Sequence, residues 1–369
     1  MDGKAACARE TPESAETALP AVLRDFRRIF KRAAGNGREA RLFGTETQAK
    51  AEAALKKYAI NASGQGFYFE IPFTGKPRMD LLLQYNPDAI RLPIASCDGA
   101  PRAGSVVSSF FESCAKDPAL ARYLVGFSFD LSEDRDLPGI YLLPPRNLPN
   151  VDHVPVMLER LGASERLPRV MEAFAAAPPG WQPYYAGYMA ARPGAPTRLG
   201  FQLDREMWRA YRGDKALLEK DLSRYYRRPI PKDMLDQIFL LTQKGYVWDF
   251  QFDLFPDGEL ARTLGVSVKD EAEKEPRTVA EFARKNMPED LMLTLEDWGL
   301  ADERRRLLPD ACSAVKRKTL EDGEMKTTVD FVSTSTCKVR FQNEEAVLAK
   351  SYIFAETYIY SRDEGGMKP

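Results

Sequence analysis

Histidine is nearly absent from this chain: His153 is the one example among 369 residues. A Ser-His-Asp triad or a multi-histidine metal centre would have to be built around that single side chain. Its setting, LPNVDHVP, reads as a proline-rich connector on the surface. Cysteine is scarce too. Cys7, Cys97, Cys114, Cys312 and Cys337 are odd in number, widely spread and free of CxxC pairing, so they read as reduced thiols of an intracellular protein. Neither sign of charge dominates: 53 basic residues stand against 54 acidic ones, and a net charge of −1 gives no global field for nucleic acid or an anionic membrane. The opening MDGKAACARETPESAE has no apolar signal-peptide core, and no run approaches the ~18 apolar residues that span a bilayer. The expected location is the cytoplasm.

Nucleotide and hydrolase signatures are missing as well. The chain has no GxxxxGK[ST], no GxGxxG at a strand–helix junction, no GxSxG and no HExxH. PDGELARTL resembles half of an acidic calcium loop, but the later ligand positions are missing and a turn is the better reading. No metal and no cofactor is expected. The runs DEAEKEPR and ADERRR read as solvated faces or linkers.

What is present is a rhythm. Five strand-pair segments, 67–85, 125–143, 184–203, 246–268 and 327–360, are separated by segments of helical periodicity. In the first, Phe67, Phe69, Ile71 and Phe73 alternate with Tyr68 and Glu70; after a TGKP turn, Met79, Leu81, Leu83 and Tyr85 alternate with Arg78, Asp80, Leu82 and Gln84. That is the period of two of a strand with one apolar face. The next three pairs repeat the pattern, closing on polar turns such as ARPGAP and PDGE. The last pair is longer, with room for a third strand. Helices are expected over 19–34, 47–60, 105–124, 154–177, 205–245 and 278–299. Residues 1–18 and 363–369 read as flexible ends of one domain covering 19–362.

Three architectures satisfy this order: two α+β lobes, an open antiparallel sheet with helices on one face, or a closed ten-stranded antiparallel barrel wrapped by helices. Closure removes both sheet edges and buries every apolar face beneath helices, leaving the polar faces inside, so the α+β barrel is preferred. Asp80, Asp130, Asp249, Asp253 and Asp330 are then expected to face inward.

Repeated ββαα units closing such a barrel resemble the ABBA, or PT-barrel, aromatic prenyltransferases, which include the dimethylallyltryptophan synthase-like indole enzymes. The resemblance spans most of 60–360 as a pattern of elements, and short stretches match in residues. FYFEIPFTGKPRMDLLLQYNP supplies Glu70 and Arg78 where the indole enzymes carry a proton-accepting glutamate and a diphosphate-binding arginine. PTRLGFQL resembles the family's Arg-x-Lys-x-Tyr strand with Arg198 retained, Gly200 at the lysine place and Gln202 at the tyrosine place. GELARTLGV offers Arg262, AKSYIF offers Lys350, and CKVRF adds Lys338 and Arg340. GIYLLPP keeps Tyr141, but Gly139 stands at a lysine position.

The resemblance implies transfer of a dimethylallyl or longer prenyl group from its diphosphate to an indole, a phenol or a peptide side chain, without metal. Guanidinium and ammonium groups would hold the departing pyrophosphate. Tyr68, Tyr141, Tyr188, Trp248, Tyr352 and Tyr358 would shield the allylic cation, each ring contributing about 0.5–2 kcal/mol, and Glu70 would take the acceptor's proton. Each residue also has a plain structural reading. Arg262 shares parity with Leu264 and Val266, Arg262 and Lys350 suit surface pairs, Glu70 and Arg78 suit an ion pair, and the aromatics suit packing. A second function fits as well: a non-catalytic accessory protein of a natural-product pathway that holds a small molecule or peptide. The inward aspartates favour it, because carboxylates repel a diphosphate.

Overall fold

The computed structural model describes residues 21–35, 37–57, 66–85, 110, 113, 123–131, 137–144, 151–271, 287–321, 324–361 and 366–368. Its strands are β1 (Gly66–Pro72), β2 (Asp80–Tyr85), β3 (Leu124–Phe129), β4 (Gly139–Leu143), β5 (Trp181–Tyr188), β6 (Thr197–Leu203), β7 (Tyr246–Leu254), β8 (Leu260–Lys269), β9 (Ser313–Glu321), β10 (Glu324–Gln342), β11 (Glu345–Ser361) and β12 (Gly366–Lys368). β1 to β8 pair in chain order, β8 pairs with β10, β10 with β11, and β11 returns to β1. Every pairing is antiparallel, and the result is a closed ten-stranded barrel.

β9 and β12 lie outside the ring, on overhanging parts of β10 and β11. The sequence reading misses β9 because SAVKRKTLE has no apolar alternation: Lys316 and Lys318 are exposed and Val315 is only half-buried. β12 occupies part of the stretch read as a flexible end.

Helices cover the outer face. They are α1 (Ala21–Ala34), α2 (Thr47–Lys57), α3 (His153–Arg160), α4 (Leu167–Ala175), α5 (Arg205–Gly213), α6 (Lys215–Tyr226), α7 (Lys232–Lys244), α8 (Glu289–Asp297) and α9 (Leu308–Ala311). α1 buries Val22, Leu23, Phe26, Ile29, Phe30 and Ala33, the stripe expected at 3.6 residues per turn. Phe26 and Phe30 meet the β1 rings Phe67 and Phe69 at centroid distances of 6.0–6.3 Å. Asp204 and Asp214 cap α5 and α6 by accepting from the backbone N–H of Met207 (2.7 Å) and Leu217 (3.0 Å). Behind β5 to β7, Trp181 sits among Phe201, Tyr225, Phe250 and Phe252, and its Nε1–H donates to Tyr211, whose hydroxyl donates to buried Asp221.

Two sequence expectations in the helical layer change. His153 is fully buried, because it shares the inward face of α3 with Val154, Met157 and Leu158. In ADERRR, Arg304 and Arg305 are buried, and Arg305 bonds Glu296 (2.6 Å) and Glu289 (3.0 Å). Of the helix expected over 105–124, Phe110 and Ser113 are helical and Leu124 begins β3. The remainder, apart from Tyr123, lies outside the described residues, as do 58–60, 278–286, Cys7, Cys97 and Cys114. No helix among the described residues is long and apolar enough to cross a membrane.

Asp330 ties this outer layer together rather than facing the lumen. It lies in the overhang of β10, fully buried, where it receives Arg28 and Arg32 of α1 (3.2 and 3.1 Å), Arg317 of β9 (3.2 Å) and the Thr357 hydroxyl of β11 (2.8 Å). Asp330→Ala takes the shared carboxylate from three arginines, of which Arg28 keeps its bond to Asp25. Removing one member of a buried ionic cluster costs 3–5 kcal/mol, and because these arginines keep some exposure, a loss of about 3 kcal/mol is expected in chemical denaturation.

Candidate functional site

Closure turns alternate side chains from separate strands toward one interior. Glu70 of β1, Tyr141 of β4, Tyr185 of β5, Arg198 of β6, Asp249, Gln251 and Asp253 of β7, Lys338 of β10, and Lys350 and Tyr352 of β11 influence or bond one another there. Small residues make the space. A Cβ at Gly187 would lie 2.4 Å from the Tyr141 ring, one at Gly200 2.2 Å from the Tyr185 ring, and one at Gly265 2.6 Å from Lys338 Cε. Gly139 and Gly200 are therefore where Met189 and Tyr185 lie against the wall.

Two β-bulges set which aromatics enter. In β5, Pro183 pairs with Phe201 and Tyr185 with Gly200, leaving Tyr184 as the extra residue. In β7, Val247 pairs with Val268 and Asp249 with Ser267, leaving Trp248 extra. Tyr184 and Trp248 meet edge to face at 6.2 Å, and Tyr185 meets Tyr141 at 5.6 Å. Trp248 donates to Thr336 Oγ1 (3.1 Å), with the Lys269 ammonium 4.1 Å from its ring centroid.

One end of the lumen opens into a cavity of about 100 Å³. Four arginines, Arg78, Arg192, Arg198 and Arg340, line it with Lys338 and Lys350; Asp80, Asp130 and Asp253 are the carboxylates there. Several of these charges are already matched. Arg198 donates in a two-point fork to Asp253, from Nε at 2.8 Å and Nη2 at 2.9 Å, and Arg192 bonds Asp130 at 3.2 Å while approaching Asp253 at 3.7 Å. Burial would raise the Asp253 pKa, but the Arg198 charge and hydrogen bonds, with help from Arg192 and Lys338, overcome this and lower it to about 2. Asp249 differs. It accepts from Gln251 Nε2 (2.6 Å) and Ser267 Oγ (2.9 Å), and burial raises its pKa against the pull of Lys338.

Glu70 is buried and accepts a hydrogen bond from Lys350. Burial pushes its pKa up, yet Lys350 and Lys338 prevail and hold it below the usual glutamate value. It is thus an ionised carboxylate beside the tyrosine-lined interior. Burial, reinforced by Glu70, keeps the Tyr352 hydroxyl protonated, and burial does the same for Tyr141 and Tyr185.

The structure therefore gathers Glu70, Arg198, Lys338, Arg340, Lys350, Tyr141 and Tyr352 around the mouth and interior. Arg78 lines the mouth from the exposed turn before β2, and the Glu70 ion pair is made by Lys350 instead. Tyr68 packs on Phe354 (4.8 Å), at the opposite end of β1 from Pro72, which pairs with Lys350. Tyr188 and Arg262 fall elsewhere. The β5 bulge reverses the alternation, so Tyr188 faces outward under the Arg166 guanidinium, 4.9 Å from its ring centroid. Arg262 is exposed. Tyr358 pairs with Val329 beyond the part of β11 that joins β1, and its side chain lies outside the described residues. Sequence reasoning missed Tyr185, hidden by the bulge, and Arg192, read only as part of the ARPGAP turn.

Two measurements probe this arrangement. Gly200→Ala should cost about 1–3 kcal/mol through overpacking against Tyr185, and adding Tyr185→Leu should recover much of it in denaturant titrations. Asp253, ionised at a folded pKa of about 2 against an ordinary 3.8, adds stability that is complete above 3.8 and disappears as pH falls through 2. Unfolding free energies between pH 6 and pH 2 should show roughly 2 kcal/mol of acid loss that Asp253→Asn removes.

No protein-family model matches the chain, and none of the curated proteins matches it.

Proposed function

We propose that the protein binds an allylic prenyl diphosphate at the arginine-lined mouth and transfers the prenyl group to an aromatic acceptor within the barrel. The observation that supports this most is the convergence of Arg192, Arg198, Arg340 and Lys350 on one cavity that adjoins a tyrosine-rich interior. Strand pairs followed by helices fit the ββαα plan of the PT-barrel enzymes, though the described elements vary in number between pairs.

In this reading the arginines, charged at any physiological pH, stabilise pyrophosphate as the allylic C–O bond breaks. Tyr141, Tyr185 and Tyr352 present ring faces to the carbocation and exclude water. The acceptor's carbon attacks the cation, and the proton that restores aromaticity passes to a base. Glu70 is the ionised carboxylate available for that step.

The accessory reading has its own support. Asp253 and Asp130 already occupy Arg198 and Arg192, so an incoming anion has to share those guanidinium groups or displace a carboxylate. Calorimetry with a non-hydrolysable dimethylallyl diphosphate analogue, followed by mass spectrometry of an aromatic acceptor panel, separates the two. Binding with alkylation is expected. The pair substitution Arg198→Gln with Asp253→Asn removes both members of the ion pair, and it should weaken binding by about tenfold or more, the scale of one lost charge-assisted contact. Binding without alkylation of any acceptor supports the accessory protein, and absence of binding removes the diphosphate site altogether.

A further inference from the structure

Lys338 stands apart from the other lumen cations. Lys350 has Glu70, Arg198 has Asp253 and Arg192 has Asp130. Lys338 bonds the Gln251 side-chain oxygen, a neutral acceptor, and no carboxylate lies within ion-pair distance of it among the described residues. Its stem lies against Gly265, where a Cβ would come within 2.6 Å of Cε and 3.3 Å of Nζ, so the wall is hollowed to receive this side chain. The lysine is buried, yet it borders the cavity that Arg198 and Arg340 also line.

An ammonium taken out of water without a counter-ion is costly, and neighbouring cations raise the cost. Burial first, then Arg198 and Lys350, drive the Lys338 pKa well below the ordinary lysine value; Glu70 and Asp249 oppose them without prevailing. Also near it are Asp253 of β7, which Arg198 engages, Arg340 two residues along β10, which lines the same cavity, and Ser267 of β8 and Lys350 of β11, its register partners. A desolvated lysine beside other cations is the arrangement that yields an amine nucleophile.

We propose that Lys338 forms an imine with a small anionic carbonyl compound, an α-oxo acid, whose carboxylate is received by Arg340 and by Arg198, the latter shared with Asp253. The Nζ lone pair attacks the carbonyl carbon, and the C=O π pair moves to oxygen. The oxygen then leaves as water with both amine hydrogens, and a C=N bond replaces C=O with no change in oxidation state. This chemistry does not depend on prenyl transfer, but a diphosphate in the same cavity would compete with it.

The test incubates the whole protein with glyoxylate at pH 7.4, reduces with borohydride and maps the modified peptides by mass spectrometry. An ordinary lysine amine, with a reference pKa of about 10.4, is only about 0.1% free base at that pH. Lys338 is expected to carry the dominant adduct, which is lost in Lys338→Met. If that variant does not fold, Lys338→Arg serves, and the wild-type map decides in either case. Adducts confined to exposed lysines, or no adduct, overturn the proposal. Inorganic pyrophosphate added beforehand separates the two functions. An adduct at Lys338 that pyrophosphate does not suppress upholds the imine and weakens the diphosphate reading; pyrophosphate binding by calorimetry without any Lys338 adduct does the reverse.

Discussion

Ring closure brings the polar faces of ten strands into one confined interior, and the rest of the site follows from the need to balance charge there. At an effective dielectric of 20, two unit charges 4 Å apart interact by about 4 kcal/mol, so partners in the lumen are chosen by energy rather than by chance contact. The Arg198–Asp253 fork, the Arg192–Asp130 bond and the Lys350–Glu70 contact are the outcome. These pairs hold the cations in fixed directions before any ligand arrives, which lowers the reorganisation an anion would demand. They also set a threshold, because the same carboxylates compete for the guanidinium groups.

Precision inside depends on rigidity outside. Aromatic side chains from β5 to β7 and α6 pack around Trp181, and the chain from Trp181 through Tyr211 to Asp221 fixes its indole by hydrogen bonds. On the opposite flank, Asp330 draws α1, β9 and β11 onto β10. Such support matters because the lumen side chains lie directly against glycines. With a Tyr185 carbon 2.2 Å from where a Cβ would be at Gly200, the ring tolerates little shift of β6 against β5.

Legibility from sequence followed the regularity of the strands. Phe67, Phe69 and Ile71 against Glu70 gave the correct faces of β1, and the inward places of Asp249 and Asp253 followed from the same period. Where one residue is inserted, the period inverts: the bulge beyond Pro183 sends Tyr185 inward and Tyr188 out, a change no composition signal announces. β9 was illegible for another reason, since an overhanging strand with exposed lysines needs no apolar face. His153 misled because a proline-rich approach concealed the buried face of a helix.

Local patterning by itself determined that β-hairpins would alternate with amphipathic helices, and that their polar faces would carry Glu70, Arg198 and Lys338, because side-chain periodicity is a property of neighbouring residues; the face of Lys350 it left open. Which charges would meet was decided only in three dimensions. Glu70 and Lys350, 280 residues apart, become partners through the register of β1 on β11, and Lys338 is left with an amide because the nearby carboxylates are committed elsewhere. Pairing of that kind depends on distances across a closed ring, and those distances exist only once the last strands join the first.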